Sequence, residues 1–327
     1  MNFWQKIPKP FFVLAPMANV TDSVFRSLFA KYGKPDVTWT EFVSADGLCS
    51  PEGKKKLLRD LDYSSKERPI VAQLFTGHRE AMRQAAQLVA KLGFDGLDIN
   101  MGCPDRAVEK QGGGSAMIKN PKIAIAVLNA AREGFGGPVS VKTRIGYNVV
   151  DLSWIKLLLE QKLPVLTVHL RTRKEMSDAP AHWDLMPEII DIRNEIQAHI
   201  PVKDRTLIIG NGDVESMKDA QEKVKKYGCD GVMIGRGIFG KPWFFEKKPE
   251  GRTPKQRLKI MLEHAKLFHK TYCGKNKNNH KNFAVMKKHF KAYVSGWDGA
   301  KELRVQLMEA ETIKEVEKIV KDYLKKL

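Results

Sequence analysis

Cysteine is scarce in this 327-residue chain: Cys49, Cys103, Cys229 and Cys273 lie far apart and form no C-x-x-C pair. That spacing excludes a zinc ribbon and a disulfide framework and fits a reducing compartment, so no metal site is expected. No apolar run is long enough to span a bilayer. The opening Met1-Asn2-Phe3-Trp4-Gln5-Lys6-Ile7-Pro8 lacks the apolar core of a signal peptide, and a cytoplasmic, membrane-free protein is the expectation. Acidic residues are in short supply: 38 Asp and Glu face 56 Lys and Arg, a formal charge of +18. An excess of that size favours a polyanionic partner, nucleic acid before anionic membrane. Internal repeats and low-complexity segments are absent too. The hydrophobic content, 43%, supports a sizeable core, and the length suits one large domain with a small one, or two medium domains.

Eight short, nearly continuous apolar runs are present, near 11–17, 37–43, 70–75, 97–100, 139–144, 165–169, 207–212 and 231–235. Helical patterns separate them, one capped by Thr21 or Asp22 and carrying Val24, Phe25, Leu28 and Phe29, another opened by Asn120 and Pro121. Runs without in–out alternation are typical of parallel strands covered on both faces. Eight such units predict an α/β fold, a (β/α)8 TIM barrel over 1–245, in preference to an open doubly wound sheet. Beyond the charged linker Glu246-Lys247-Lys248-Pro249-Glu250-Gly251, residues 251–327 show four helical patterns and no strand, predicting a small all-α helical bundle. That segment holds 19 basic against 8 acidic residues, a surplus of 11. Lys281, Lys287, Lys288, His289 and Lys291 crowd a pattern at 281–295 with Phe283, Met286, Phe290 and Tyr293. The expectation is aromatics in the core and the basic groups turned outward to RNA, with Lys287 and Lys288 gripping its backbone.

Barrels carry function at the C-terminal ends of their strands. Those ends hold Met17, Gln73, Asn100, Cys103, Lys142, Arg144, His169, Asn211, Gly235 and Arg236. Buried donors converging on one rim call for an acceptor-rich, anionic ligand. The stretch Leu97-Asp98-Ile99-Asn100-Met101-Gly102-Cys103-Pro104-Asp105, followed by Gln111-Gly112-Gly113-Gly114-Ser115, presents a thiol on a glycine-flanked loop. Gly235-Arg236-Gly237-Ile238-Phe239-Gly240 spells G-x-G-x-x-G, but no second strand with a terminal acid follows, so a single-phosphate cradle is the better reading. Flavin mononucleotide fits this inventory: phosphate on the last two strand loops with Arg236, pyrimidine edge on Gln73, and Lys142 near N1 and O2. A sugar phosphate fits the same loops but leaves Gln73 and the thiol without roles.

Ala15-Pro16-Met17-Ala18-Asn19-Val20-Thr21-Asp22, Ala72-Gln73-Leu74, Asn100-Met101-Gly102-Cys103-Pro104, Val141-Lys142-Thr143-Arg144, His169-Leu170-Arg171-Thr172-Arg173, Asn211-Gly212-Asp213 and Gly235-Arg236-Gly237 follow one another in order. Over roughly 10–245 the chain thereby resembles the dihydrouridine synthases. The resemblance implies an FMN-bearing barrel, a helical RNA-binding domain and NADPH-dependent reduction of the uridine C5–C6 bond in RNA, foremost tRNA; a monomer is expected, and the lack of a nicotinamide fingerprint leaves NADH open as reductant. By motif, Pro16, Met17, Ala18, Gln73, Lys142, His169, Asn211, Gly212, Asp213, Gly235 and Arg236 would hold FMN. Cys103 would be the general acid, and Asn100, Arg144 and Arg171 would line the uracil or its backbone. An unperturbed thiol, with a pKa of about 8.5, stays mostly protonated at neutral pH, as an acid must. The chain departs from the family at Leu170, usually Gly, and at Met176, commonly Tyr, both in the loop 170–183. Two other readings compete. One is an FMN barrel of the dihydroorotate dehydrogenase type acting on a free pyrimidine; the other is a non-enzymatic RNA-binding protein on a relic barrel.

Overall fold

The computed structural model describes residues 2–246, 251–274 and 280–326. The eight expected strands form: β1 (Phe11–Leu14), β2 (Thr38–Ser44), β3 (Ile70–Phe75), β4 (Gly96–Met101), β5 (Val139–Arg144), β6 (Val165–His169), β7 (Leu207–Asn211) and β8 (Gly231–Ile234). Every strand pair is parallel, and β1 runs in register with β8 from Phe11 against Gly231 to Leu14 against Ile234. The Leu14 amide donates to the Val37 carbonyl at 3.2 Å, and a Val13–Val37 bridge joins β1 to the start of β2. These contacts close the sheet into a barrel. Its strands are buried almost throughout because helices cover the outer face and side chains fill the interior.

Those helices are α1 (Ser23–Tyr32), α2 (Ala45–Cys49), α3 (Pro51–Leu57), α4 (Arg79–Lys91), α5 (Arg106–Lys110), α6 (Pro121–Phe135), α7 (Leu152–Glu160), α8 (Met186–Ile196) and α9 (Met217–Tyr227). Asp22, not Thr21, caps α1, accepting from the Phe25 amide at 2.9 Å, while the Thr21 hydroxyl accepts from the Met17 amide at 2.9 Å. Asn120 occupies the cap position of α6, but its side chain does no capping; it turns back and donates to Ala116 O at 3.2 Å. Pro121 stands at the first turn as expected. Then come α10 (Pro254–Tyr272), α11 (Met286–Tyr293), α12 (Ala300–Glu309) and α13 (Ile313–Leu324), which share one apolar cluster reaching Val24 of α1 and Trp243. No helix among the described residues is long and apolar enough to cross a membrane.

The outward basic face expected at 281–295 is corrected in two places. The helix begins only at Met286, so Lys281 lies outside it and points inward, buried against Glu41 and Asp60. His289 falls on the stripe of Met286, Phe290 and Tyr293, because three- and four-residue steps share one helix face, and it is fully buried. Lys287 and Lys288 are half-buried and Lys291 is exposed.

His289 packs 4.6 Å, ring to ring, from His264 of α10, which stacks on Phe25 of α1 at 4.8 Å. Both nitrogens of His289 and Nε2 of His264 lack a hydrogen-bond partner among the described residues. Burial holds both imidazoles neutral, pushing His264 down to about 3 and His289 well below the ordinary value, the latter helped by His264 and Lys288. The folded state therefore resists protons that the unfolded chain takes up near pH 6.5, and stability is lost as pH falls below that value, by about 1.4 kcal/mol per pH unit and histidine. His289→Phe is expected to stabilise the protein by about 1–3 kcal/mol at neutral pH by removing unpaired buried nitrogens. Its advantage over the parent should widen between pH 6.5 and 5 in urea melts; a gap independent of pH would refute this account.

Candidate active site

A cavity of about 560 Å³ opens where β1 and β5–β8 end. Ala15, Pro16 and Met17 line it from the β1 loop, Lys142 and Arg144 from β5, and His169 and Arg171 from the end of β6. Asn211, Gly212 and Asp213 come from β7, Gly235 and Arg236 from the β8 loop, and Pro104 from the loop after β4.

The β4 end is held by a chain of buried amides and acids. Asn100 Oδ1 accepts from the Gly102 and Cys103 amides at 3.1 and 2.9 Å, which bends the chain sharply and sets Cys103 immediately before Pro104, a lining residue of the cavity. Asn100 Nδ2 donates to Gln73 Oε1 at 3.1 Å, Gln73 Nε2 donates to Asp98 Oδ2 at 2.6 Å, and Ser140 Oγ donates to Asp98 Oδ1 at 2.5 Å. Burial pushes Asp98 up to about 6 against the pull of Gln73, Ser140 and Lys142. The glycine-rich segment backs the same turn: a Cβ at Gly114, whose φ is +59°, would sit 2.5 Å from Cys103 O. The Cys103 side chain is half-buried, and burial pushes its thiol up, with Lys142 and Arg144 pulling weakly the other way. At neutral pH the sulfur keeps its proton.

Lys142 stands beside this turn with no hydrogen bond or ion pair among the described residues. Burial, and then Arg144, bring its ammonium down to about 8, close to shedding its proton unless an anion joins it. Arg144 is buried, which lowers it to about 10; its Nε donates to Gly102 O at 2.8 Å, and its Nη1 to Thr172 O and Met176 O, both at 2.9 Å. It therefore staples the cysteine loop to the loop after β6.

On the opposite side, Arg171 Nη1 donates to His169 Nε2 at 3.3 Å, which places the His169 proton on Nδ1. Burial and the surrounding cations keep that imidazole neutral. Arg171 Nη2 and Arg236 Nη2 grip the two oxygens of Asp213 at 2.5 and 3.1 Å. Burial alone would raise the Asp213 carboxyl, but the Arg171 and Ala181 bonds hold it below its ordinary range. Gly212, at φ +131°, allows the turn, since a Cβ there would come 2.7 Å from Ala181 Cβ. Asn211 Nδ2 ties β7 to β8 through Met233 O at 2.8 Å.

The structure thus gathers most of the expected residues around one cavity. Gln73, Asn100 and Cys103 are not among the residues that line it, the first two being buried and Cys103 half-buried next to the lining residue Pro104, and Ala18 is exposed outside it. Arg171, expected at the substrate side, joins the Asp213–Arg236 group. Sequence reading passed over Asp98, although an acid inside an apolar strand is a signal, since a charge buried on both faces needs partners.

The family model described as dihydrouridine synthase (Dus) matches residues 13–327. A probable tRNA-dihydrouridine synthase of Staphylococcus aureus (strain COL) is 43% identical over 324 residues, 98% of this chain and 95% of that one. Probable tRNA-dihydrouridine synthase 2 of Bacillus subtilis (strain 168) is 42% identical over 327 residues, 99% and 97% of the two chains. Among solved structures, histamine dehydrogenase from Rhizobium sp. 4-9 superposes with TM-score 0.53 at 13% identity, covering 78% of this chain and 48% of that one. Morphinone reductase gives 0.50 at 15%, covering 75% and 87%. Likeness at such identities concerns the barrel alone. The family match and the curated relatives span nearly the whole chain, and the chain belongs to the dihydrouridine synthase family.

Proposed function

We propose that this enzyme reduces the C5–C6 double bond of uridine in tRNA, with FMN in the cavity, NADPH as reductant and Cys103 as the proton donor. The observation that carries the reading is a half-buried thiol, its pKa pushed up by burial, adjacent in the chain to Pro104 on the wall of a cavity ringed by Lys142, Arg144, Arg171 and Arg236. The cavity falls within the roughly 300–1,000 Å³ usual for cofactor sites. Its lining fits a flavin phosphate: Arg236 stands 62% exposed beside Gly235, where a Cβ would meet nothing closer than 3.9 Å. Pro16, Met17, His169, Asn211, Gly212 and Gly235 would complete the hold, with Asp213 aligning Arg171 and Arg236. Lys142, unpaired among the described residues, is the cation for the electron-rich pyrimidine edge, and among those residues Gln73 keeps one N–H and one lone pair free for it. When bound, FMN supplies hydride to uracil C6 and is restored by NADPH.

Cys103 supports the other half of the reduction. As charge builds on C5 and O4, its S–H bond breaks and a C5–H bond forms. The thiolate left behind sits near Lys142 and Arg144, which stabilise it until solvent returns a proton. A uracil must leave its stack to reach this site, so a basic surface gripping distorted RNA is needed, and the segment 251–327 supports that role with its surplus of 11 positive charges.

Purified protein given FMN, NADPH and unmodified tRNA transcripts should add two hydrogens per target uridine by mass spectrometry. No gain in tRNA, or turnover of free uracil, would overturn the proposal. Lys287→Glu with Lys288→Glu should weaken tRNA binding and flatten its log–log salt dependence by up to about 2, roughly 0.9 for each phosphate no longer neutralised. An unchanged slope would make α11 a merely solvated face.

A further inference from the structure

We propose that Glu109 is a positioning residue for Cys103, clamping the cysteine loop to the loops after β5 and β6 so that the three act as one block. This rests on the reading of Cys103 as the proton donor. Glu109 leaves the short helix α5, directly after the cysteine turn. Its carboxylate takes a forked bond from Arg173, whose Nε donates to Oε1 at 3.2 Å and Nη2 to Oε2 at 2.6 Å. Ser115 Oγ lies 2.9 Å from Glu109 Oε1 and 2.9 Å from Cys103 O. One hydroxyl has one proton to give. The Cys103 carbonyl is already served by the Ser115 amide at 2.9 Å, so the proton goes to the carboxylate, the stronger acceptor. Ser115 is thereby held between Glu109 and the backbone of the catalytic cysteine.

Arg173 carries this hold across the site. Its amide donates to Gly146 O at 2.9 Å and that of Lys174 to Tyr147 O at 2.8 Å, lacing the loops after β5 and β6 together. The Arg173 guanidinium lies 5.4 Å and the Lys119 ammonium 4.4 Å from the centre of the Tyr147 ring. Arg144, from within the cavity, binds Gly102 O on one side and Thr172 O and Met176 O on the other. The turn around Cys103 is thus held at Gly102 by Arg144 and at Cys103 O through Ser115, and both holds run to the segment 172–176. Burial pushes the Glu109 carboxyl up, but Arg173, Ser115 and Tyr147 outweigh it and keep it ionised. Two independent cross-links to one loop are more than packing needs at a rim where the Glu109 and Arg173 side chains stay 14% and 27% exposed.

The test uses the full-length protein, with Glu109→Ala removing the clamp and Glu109→Gln keeping an acceptor for Ser115 without the charge. The Ala variant should lose about 10- to 100-fold in kcat, the scale of a misplaced reacting group. KM for tRNA and the melting temperature should stay near the parent's, and Gln should restore part of the rate. Iodoacetamide labelling of Cys103, followed by peptide mass mapping, should run several-fold faster in the Ala variant because the turn is released. Unchanged kcat, or lowered kcat with Cys103 labelling as in the parent, would overturn the proposal. Labelling needs neither turnover nor flavin, so it still decides the positioning role should the parent prove unable to reduce tRNA.

Discussion

Cys103→Ala is expected to lower dihydrouridine formation by about 10²–10⁴-fold, the usual worth of a positioned general acid. The methyl group fills the half-buried site without disturbing the Asn100 and Ser115 bonds, which are made to backbone atoms of residue 103. FMN absorbance and tRNA affinity should therefore match the parent. The pH profile gives a second check. Burial holds the thiol above its ordinary value, so the acid form persists through neutrality and the parent rate should fall only as pH rises into the alkaline range. That descending limb belongs to the sulfur and should vanish from the residual activity of the Ala variant. Activity within a factor of about two, or an unchanged alkaline limb, would remove Cys103 from the acid role.

Lys281→Met should destabilise the protein by about 3–5 kcal/mol, the cost of removing one partner from a buried ionic cluster. Lys281 Nζ lies 2.7 Å from Glu41 Oε2 and 2.9 Å from Asp60 Oδ1, with the lysine and Glu41 side chains each only 5% exposed. Asp22, pushed up to about 6 by burial, also leans on this cation, and its Oδ2 has no hydrogen-bond partner among the described residues. Burial opposes the charge on Lys281, but Glu41, Asp60 and Asp22 together hold its pKa above the ordinary lysine value. The stability this brings is complete below about pH 10.4 and is lost only as pH rises beyond it. Without the cation, carboxylates face one another out of water, and the penalty should shrink as acid protonates them, being larger at pH 7.5 than at pH 5 in urea melts. Adding Glu41→Gln should recover part of the loss. The effect should reach the cavity as well, because Glu41 Oε1 also accepts from the Asn19 amide, two residues beyond the lining residue Met17. A change below about 0.5 kcal/mol, ordinary for a surface substitution, would show the cluster to be dispensable.

The strands were legible because a parallel strand covered on both faces must be apolar along its length, and a polar group at its end then stands out. Cys103, Lys142, Arg144, His169 and Asn211 were all visible in this way. Lys281 was not. Helical periodicity assigned it to an outward face, whereas its partners lie 240 and 221 positions away in the chain, a separation no local pattern registers. Glu109 and Arg173, 64 positions apart, escaped for the same reason.

By itself the sequence determined which segments become strands, where the chain must turn tightly, as at Gly114 and Gly212, and which reactive groups stand at the barrel mouth. These follow from hydrophobic pattern and backbone freedom, which act over a few residues. The tertiary structure alone decided who partners whom: Asn100 with the cysteine turn, Asp213 with two arginines, Glu109 with Arg173, Lys281 with acids of the barrel. It likewise decided that burial raises the thiol further and brings Lys142 down to about 8, because a charge's cost depends on the water excluded and the charges gathered around it in the folded chain.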